Sequence, residues 1–195
     1  MAITTAGTPI PIGNEQIPPT FESVLAAPRL NIPRRVQRED AWCYAACASM
    51  AIKHVIGDFV SQCDIASFAK EEDCCDSSPD DSCTDSGCRK NQIKPIFEHF
   101  NVRCSRVNAQ ISFITVGTEI DADRPIEVVI DWDSVPVTSH AVLVTGFIDD
   151  DEMVYVIDPL NSIDHNTGWT TYESLQFGFG YGNWDMTWRR LRLDD

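Results

Sequence analysis

The chain predicts an α+β fold, on three observations. Capped helix signals occupy the sequence before Pro125, Val-, Ile- and aromatic-rich segments occupy it afterwards, and the two kinds do not alternate. Its 195 residues favour one domain. A domain of this size buries roughly 70% of the surface its unfolded chain exposes, so it can stand without staples.

Each element has a local reason. Residues 1–33 hold Pro9, Pro11, Pro18, Pro19, Pro28 and Pro33, which remove backbone donors and disfavour helix, so an extended arm is expected. A removable pro-segment is the alternative for this arm, and residues 34–195 form the domain. Asp40 is the expected N-cap of an Ala-rich helix that ends at Gly57, a residue suited to the left-handed C′ position. That helix is apolar almost all round, which marks it as buried. Ser61 is the expected cap of a helix through Lys70. Residues 71–85 carry seven acids and no Lys or Arg, within an acidic, Cys-rich insertion at 71–88. A third helix is expected over 91–100, with Pro95 in its first turn, and Ser112 caps a short helix to Ile120. Strands are expected at 126–132, 140–147, 153–158 and 184–193, with residues 149–152 as a hairpin turn.

Composition excludes several functions. The net charge of −15 makes the chain a poor binder of nucleic acid or of an anionic membrane surface. No stretch approaches the ~20 apolar residues of a membrane span. Residues 1–19 show neither the basic region nor the apolar core of a secretory signal.

Cys43 lies at the start of the buried helix, where unpaired N–H groups and the helix dipole favour a thiolate. The thiolate is the attacking form of cysteine, and it needs a base. His54 is eleven residues along the same helix, roughly 16 Å away, so it cannot serve. His99 has no carboxylate set behind it, and His165 lies in a polar loop. His140 opens the most apolar strand, where a titratable group is costly unless it is hydrogen-bonded or functional.

The hairpin supplies the third member. If its turn centres on Asp149 or Asp150, paired indices sum to an even number, and Asp158 then shares the His140 face within about 5–8 Å at Cβ. A turn centred between residues would send Asp158 to the other face. The N–H of Cys43 and the side-chain amide of Gln37 are the expected oxyanion donors.

Gln37 six residues before Cys43, then His140, then Asp158 before Pro159, resembles a papain-like cysteine peptidase. The similarity is to the compact bacterial branch, which includes effector proteases of plant pathogens and peptidase domains of bacteriocin-exporting transporters. It spans roughly residues 37–160. The resemblance implies a helical half carrying the thiol, packed on a C-terminal antiparallel sheet or half-barrel carrying the base, with a substrate cleft between. It implies hydrolysis of peptide bonds by Cys43, His140 and Asp158 through a thioester. The Cys-Gly-x-Cys-Trp string of plant papains is absent. Their orienting asparagine has a counterpart in Gly182-Asn183-Trp184, so Asn183 is the alternative orienter, although the hairpin favours Asp158.

Cys47 reads as helix core. Cys63, Cys74, Cys75, Cys83, Cys88 and Cys104 read as disulfide candidates of unassigned pairing. Zinc knuckle spacing is missing, and Asp76–Asp81 lacks the glycine and distal glutamate of a calcium loop. No metal or cofactor is expected. The expected partner is a protein or peptide substrate, not nucleic acid or membrane. Disulfides point to an exported or host-delivered protein, with the cytoplasm as the alternative. The same thiol chemistry also serves deamidases, transamidases and isopeptidases, and a non-catalytic binding or toxin module can be built on this scaffold.

Overall fold

The computed structural model describes residues 21–76, 81–84, 87–133, 138–162 and 166–194. Pro9, Pro11, Pro18, Pro19, Asp80, Asp85 and His165 lie outside these residues. Helices α1 (Phe21–Ala26), α2 (Cys43–Ile56), α3 (Gln62–Lys70), α4 (Asp81–Thr84) and α5 (Ile93–His99) precede strand β1 (Val102–Val107). Helix α6 (Phe113–Asp121) leads into β2 (Ile126–Trp132), β3 (Ser139–Ile148), β4 (Met153–Ile157) and β5 (Gly168–Thr171). Helix α7 (Tyr172–Gln176) and strand β6 (Gly182–Leu193) close the chain. The strands form one antiparallel sheet in the order β1-β6-β2-β3-β4-β5. This is the α+β arrangement expected: a helical half packed on an antiparallel half. No described helix is long and apolar enough to cross a membrane.

Helix α2 is the centre of the core. Its residues from Tyr44 to Ile52 are all buried, and small side chains at Ala45, Ala46, Cys47 and Ala48 let it lie close on the sheet. Gly57 ends it in the left-handed conformation, φ 83°, its N–H donating to the Lys53 carbonyl at 3.0 Å. At the other end Trp42, not Asp40, is the cap residue, and no side chain caps the helix. The reason is local. Trp42 is buried, its indole N–H donates to the Cys83 carbonyl at 2.6 Å, and this anchor sets where the helix begins. Ser61 and Ser112 cap α3 and α6 as expected, accepting from the N–H groups of Asp64 and Thr115.

Three parts of the arm and sheet differ from expectation. Residues 21–26 form a helix, within the proline-free stretch 20–27 of the arm. Strands β1 and β5 were not expected. The third difference is a shift of register. Near the turn Phe147 faces Val154, but beyond it Val144 faces Val156, with Thr145 as the extra residue of a β-bulge. The arm covers this bulge. The Leu30 N–H donates to the Thr145 carbonyl at 2.7 Å, Arg29 bridges to Gly146, and the Arg29 guanidinium lies 3.6 Å above the Tyr155 ring. A β-carbon on Gly146 would stand 3.0 Å from the Pro28 carbonyl oxygen, so any larger residue would press the arm away from the bulge by a few tenths of an ångström.

Four of the six disulfide candidates pair, as Cys63–Cys75 and Cys74–Cys83. These bonds staple the acidic insertion to α3 and α4. Cys88 and Cys104 are free, contrary to expectation. Cys104 is held in β1 against β6, and Cys88 lines the cleft described below. Among the described residues, Cys63, Asp64 and Cys75 are the one group with metal-ligand spacing. Its two sulfurs are joined to each other in one disulfide.

Non-reducing peptide mapping is expected to return these two pairs, with Cys43, Cys47, Cys88 and Cys104 alkylated after unfolding. Reduction should lower unfolding stability by about 2–4 kcal/mol per bridge.

Candidate active site

The N-terminus of α2 meets the ends of β2 and β3 at a cleft of about 660 Å³. Cys43 is the first residue of α2, half-buried, and lines this cleft. The first helical bond runs from Ala46 N–H to the Trp42 carbonyl at 2.9 Å. The N–H groups ahead of it therefore have no intrahelical acceptor.

His140 is the second residue of β3, directly opposite Ile130 of β2. It is buried and stacks on Trp132 at 5.6 Å between ring centroids. Its Nε2 is 2.8 Å from Asp158 Oδ1. With Nε2 held by Asp158, Nδ1 is the ring nitrogen left for Cys43, which lines the same cleft and acts on the His140 pKa.

Asp158 follows β4 and is wholly buried. Its carboxylate also accepts the Leu160 N–H at 2.9 Å and the Asn166 N–H at 2.9 Å. Its backbone is clamped from the helical half. Arg34 donates from Nε to the Asp158 carbonyl at 2.7 Å and from Nη2 to the Leu160 carbonyl at 2.6 Å, and the Gln37 N–H donates to the Pro159 carbonyl at 2.8 Å.

Burial alone would raise the Asp158 pKa. The His140 bond and charge, with the two backbone N–H donors, outweigh it and bring it down to about 2. Burial alone would lower the His140 pKa. The hydrogen bonds to Asp158 and Cys43, and the charges of both, raise it to about 9. The pair contributes fully to stability between the unfolded values, 3.8 for Asp158 and 6.5 for His140. That contribution is lost as pH rises through about 9 or falls through about 2.

The other sequence candidates stand elsewhere. Gln37 is buried, but its side-chain amide donates to the Glu39 and Asp40 carbonyls at 3.0 and 2.6 Å, and its Oε1 has no partner. Both donors are thus turned to the backbone, and Gln37 is not among the residues lining the cleft. The expected second oxyanion donor instead braces the turn leading into α2. Asn183 is exposed on β6 in register with Asp131, and no hydrogen bond joins it to His140. His54 bonds Asp123 at 3.0 Å at the far end of α2, and His99 stacks on Phe68 at 4.0 Å between centroids. Cys47 is buried, its sulfur 3.3 Å from the Ala141 carbonyl. Burial pushes its thiol well up.

Sequence reasoning missed three contributors. Arg34 is one of four arginines within residues 29–38, and nothing in the sequence sets it apart. Lys90 ties Asp131 at 2.6 Å and Asp185 at 2.8 Å, crossing from the helical half to the sheet at the cleft. Glu127, the second residue of β2, lines the cleft with its carboxyl buried and unpartnered. The signal for it was in plain view: one acid inside the apolar run Ile126–Ile130.

Residues 29–189 match the Peptidase_C39 like family. No curated protein matches the chain. The peptidase domain of Streptococcus ComA, a bifunctional ABC transporter involved in quorum sensing, aligns with a TM-score of 0.57 at 14% identity, covering 82% of this chain and 97% of that one. A double glycine motif protease from an AMS/PCAT transporter, solved in complex with the leader peptide, aligns with a TM-score of 0.54 at 14% identity, covering 84% and 94%. The Pseudomonas avirulence protein AvrPphB reaches only 0.28 at 11% identity, over 52% of this chain and 59% of that one, too low to carry a comparison. The fold is therefore the papain-like fold that the sequence resemblance implied.

In an NMR titration, Asp158→Ala should bring the His140 pKa down from about 9 towards the ordinary ~6.5, because burial is then opposed by Cys43 alone. Asn183→Ala should leave it in place. A His140 shift in the Asn183 variant, and none in the Asp158 variant, would reverse the assignment.

Proposed function

This chain belongs to the Peptidase_C39 like family, and from that premise we propose that it is a cysteine peptidase cleaving peptide bonds with Cys43, His140 and Asp158. One observation carries the reading: the imidazole of His140 is bonded to the buried Asp158 carboxylate and shares the wall of an open cleft with Cys43. The leader-peptide complex of the double glycine motif protease supports a peptide as occupant of this cleft.

The chemistry follows from these positions. The Cys43 thiolate attacks the substrate carbonyl carbon. The unpaired N–H of Cys43 at the helix end donates to the oxyanion, and Gln37 keeps the preceding turn aimed. Protonated His140 gives its Nδ1 proton to the leaving amine, and a thioester remains. Water, losing a proton to the now neutral imidazole, attacks the thioester, releases the acid and restores the thiolate. Asp158 keeps the ring in one tautomer and orientation throughout. The two disulfides support a protein that works in an oxidising compartment, exported or delivered to a host.

Cys43→Ala should cut peptide cleavage by about 10⁴-fold or more while circular dichroism is unchanged. Cleavage that survives the substitution overturns the mechanism. Iodoacetamide at mildly acid pH should alkylate Cys43 in the native protein; an inert Cys43 favours a non-catalytic module.

The pH dependence has a definite sign. kcat/KM should fall as pH rises through about 9, where His140 loses the proton it gives to the leaving amine. A profile still climbing beyond that pH contradicts the assigned acid.

A further inference from the structure

Away from the cleft, a second pocket of about 450 Å³ opens between α5 and the paired strands β1 and β6. Lys94, Arg103, Arg190 and Arg192 line it, together with two carboxylates, Glu98 and Asp194. The carboxylates are spent within the pocket. Glu98 pairs with Lys94 at 3.2 Å, and Asp194 accepts from Arg103 Nε. Among the described residues, no carboxylate pairs with the guanidinium of Arg190 or of Arg192. Both side chains are exposed, so a ligand reaches them from solvent.

The fold holds these charges together against resistance. Arg103 and Arg192 stand directly opposite each other across β1 and β6. Like charges so placed repel. The register then shifts, and Arg190 and Leu191 together face Cys104. Arg190 adopts the left-handed conformation in this bulge, φ 58°, at a position that glycine usually occupies. Buried Glu119 imposes it from behind. The Arg190 N–H donates to Glu119 Oε2 at 3.1 Å, and Arg189 Nη1 donates to Oε1 at 3.3 Å. Glycine at 190 would meet the backbone demand without strain, so it is the guanidinium that gives arginine a reason to stand here.

We propose that Arg103, Arg190 and Arg192 form a binding site for the phosphate group of a small hydroxylated ester. The planar arginine fork matches the oxygens of a phosphate, and the two unspent cations match its two negative charges. One carboxylate would neutralise half of them. The pocket is larger than a bare phosphate ion. Glu98 and Asp194 keep lone pairs that accept from hydroxyl groups on the body of the ester. The net charge of −15 does not oppose this. At physiological ionic strength, charges more than about 8 Å away are largely screened, so the local sign decides. The pocket shares no lining residue with the Cys43 cleft, so the site stands or falls apart from the peptidase reading.

The test is calorimetry on the full-length protein at neutral pH and about 0.15 M ionic strength. The probes are glycerol phosphate, inorganic phosphate and malonate, a dianion made of two carboxylates. Glycerol phosphate should bind with a Kd of about 1 mM or tighter. It should bind about threefold tighter than inorganic phosphate and about tenfold tighter than malonate. Arg192→Gln should weaken it about tenfold. Arg190→Gly should weaken it as much while raising the melting temperature by about 2 °C or more, because strain and guanidinium leave together. Arg106→Gln, on β1 but outside the pocket, should change neither affinity nor melting temperature.

No binding of either phosphate, malonate as tight as glycerol phosphate, or inorganic phosphate tighter than the ester overturns the proposal. So does binding that survives both Arg190→Gly and Arg192→Gln. An equal loss in Arg106→Gln overturns it as well, by marking diffuse surface charge in place of a site.

Discussion

The relation between His140 and Asp158 depends on a single extra residue in β3. Across an antiparallel pair, side chains share a face only when their indices have the parity set by the register. Near the turn, where Phe147 faces Val154, the register would send Asp158 to the face opposite His140. Thr145 bulges, Val144 comes to face Val156, and the parity changes. Asp158 then lies one diagonal step from the residue opposite His140, on its face and within reach of its Nε2. A bulge exposes a carbonyl that the ladder no longer uses. Here the Leu30 N–H takes it. The N-terminal arm thus stabilises the irregularity that brings acid and base together, and a few residues later Arg34 and Gln37 hold the Asp158–Leu160 backbone.

The same arm explains how two halves of the fold keep one geometry. The thiol is fixed by α2, whose start is set by the buried indole of Trp42 against the disulfide-stapled Cys83. The base is fixed by the sheet. The segment between Leu30 and Cys43 touches the bulge, the acid's backbone and the turn ahead of the helix in succession. Lys90 adds a second crossing through Asp131 and Asp185. Exposed ion pairs contribute little alone. This one joins three elements and is half-buried, so its value is in registering the 3-10 turn Lys90–Gln92, just ahead of α5, against the strands.

Much of this was legible in the sequence, and the reasons are local. Ser61 and Ser112 announce helices because a cap is satisfied within three residues. The strands after Pro125 declare themselves by β-branched runs, and residues 149–152 by their turn chemistry. Bulge and disulfide pairing were not legible, because both are settled by distant contacts: Leu30 on Thr145, and α3 against α4. Asp40 looked like a cap because its chemistry suits one, but the burial of Trp42 outweighs a cap worth about 1 kcal/mol. Gln37 had the right spacing for an oxyanion donor, and spacing cannot say where an amide turns.

Two carboxyls of the site show how environment, not residue type, assigns roles. Asp158 and Glu127 are both wholly buried. Asp158 accepts from an imidazole and two backbone N–H groups and stays ionised down to about pH 2. Glu127 accepts from nothing and stays neutral up to about pH 8. If both were ionised in an empty cleft, Glu127 would oppose negative charge on Cys43 across a low-dielectric gap. Kept neutral, it leaves the thiolate and imidazolium undisturbed. A permanently charged carboxylate at the same position would not leave them so.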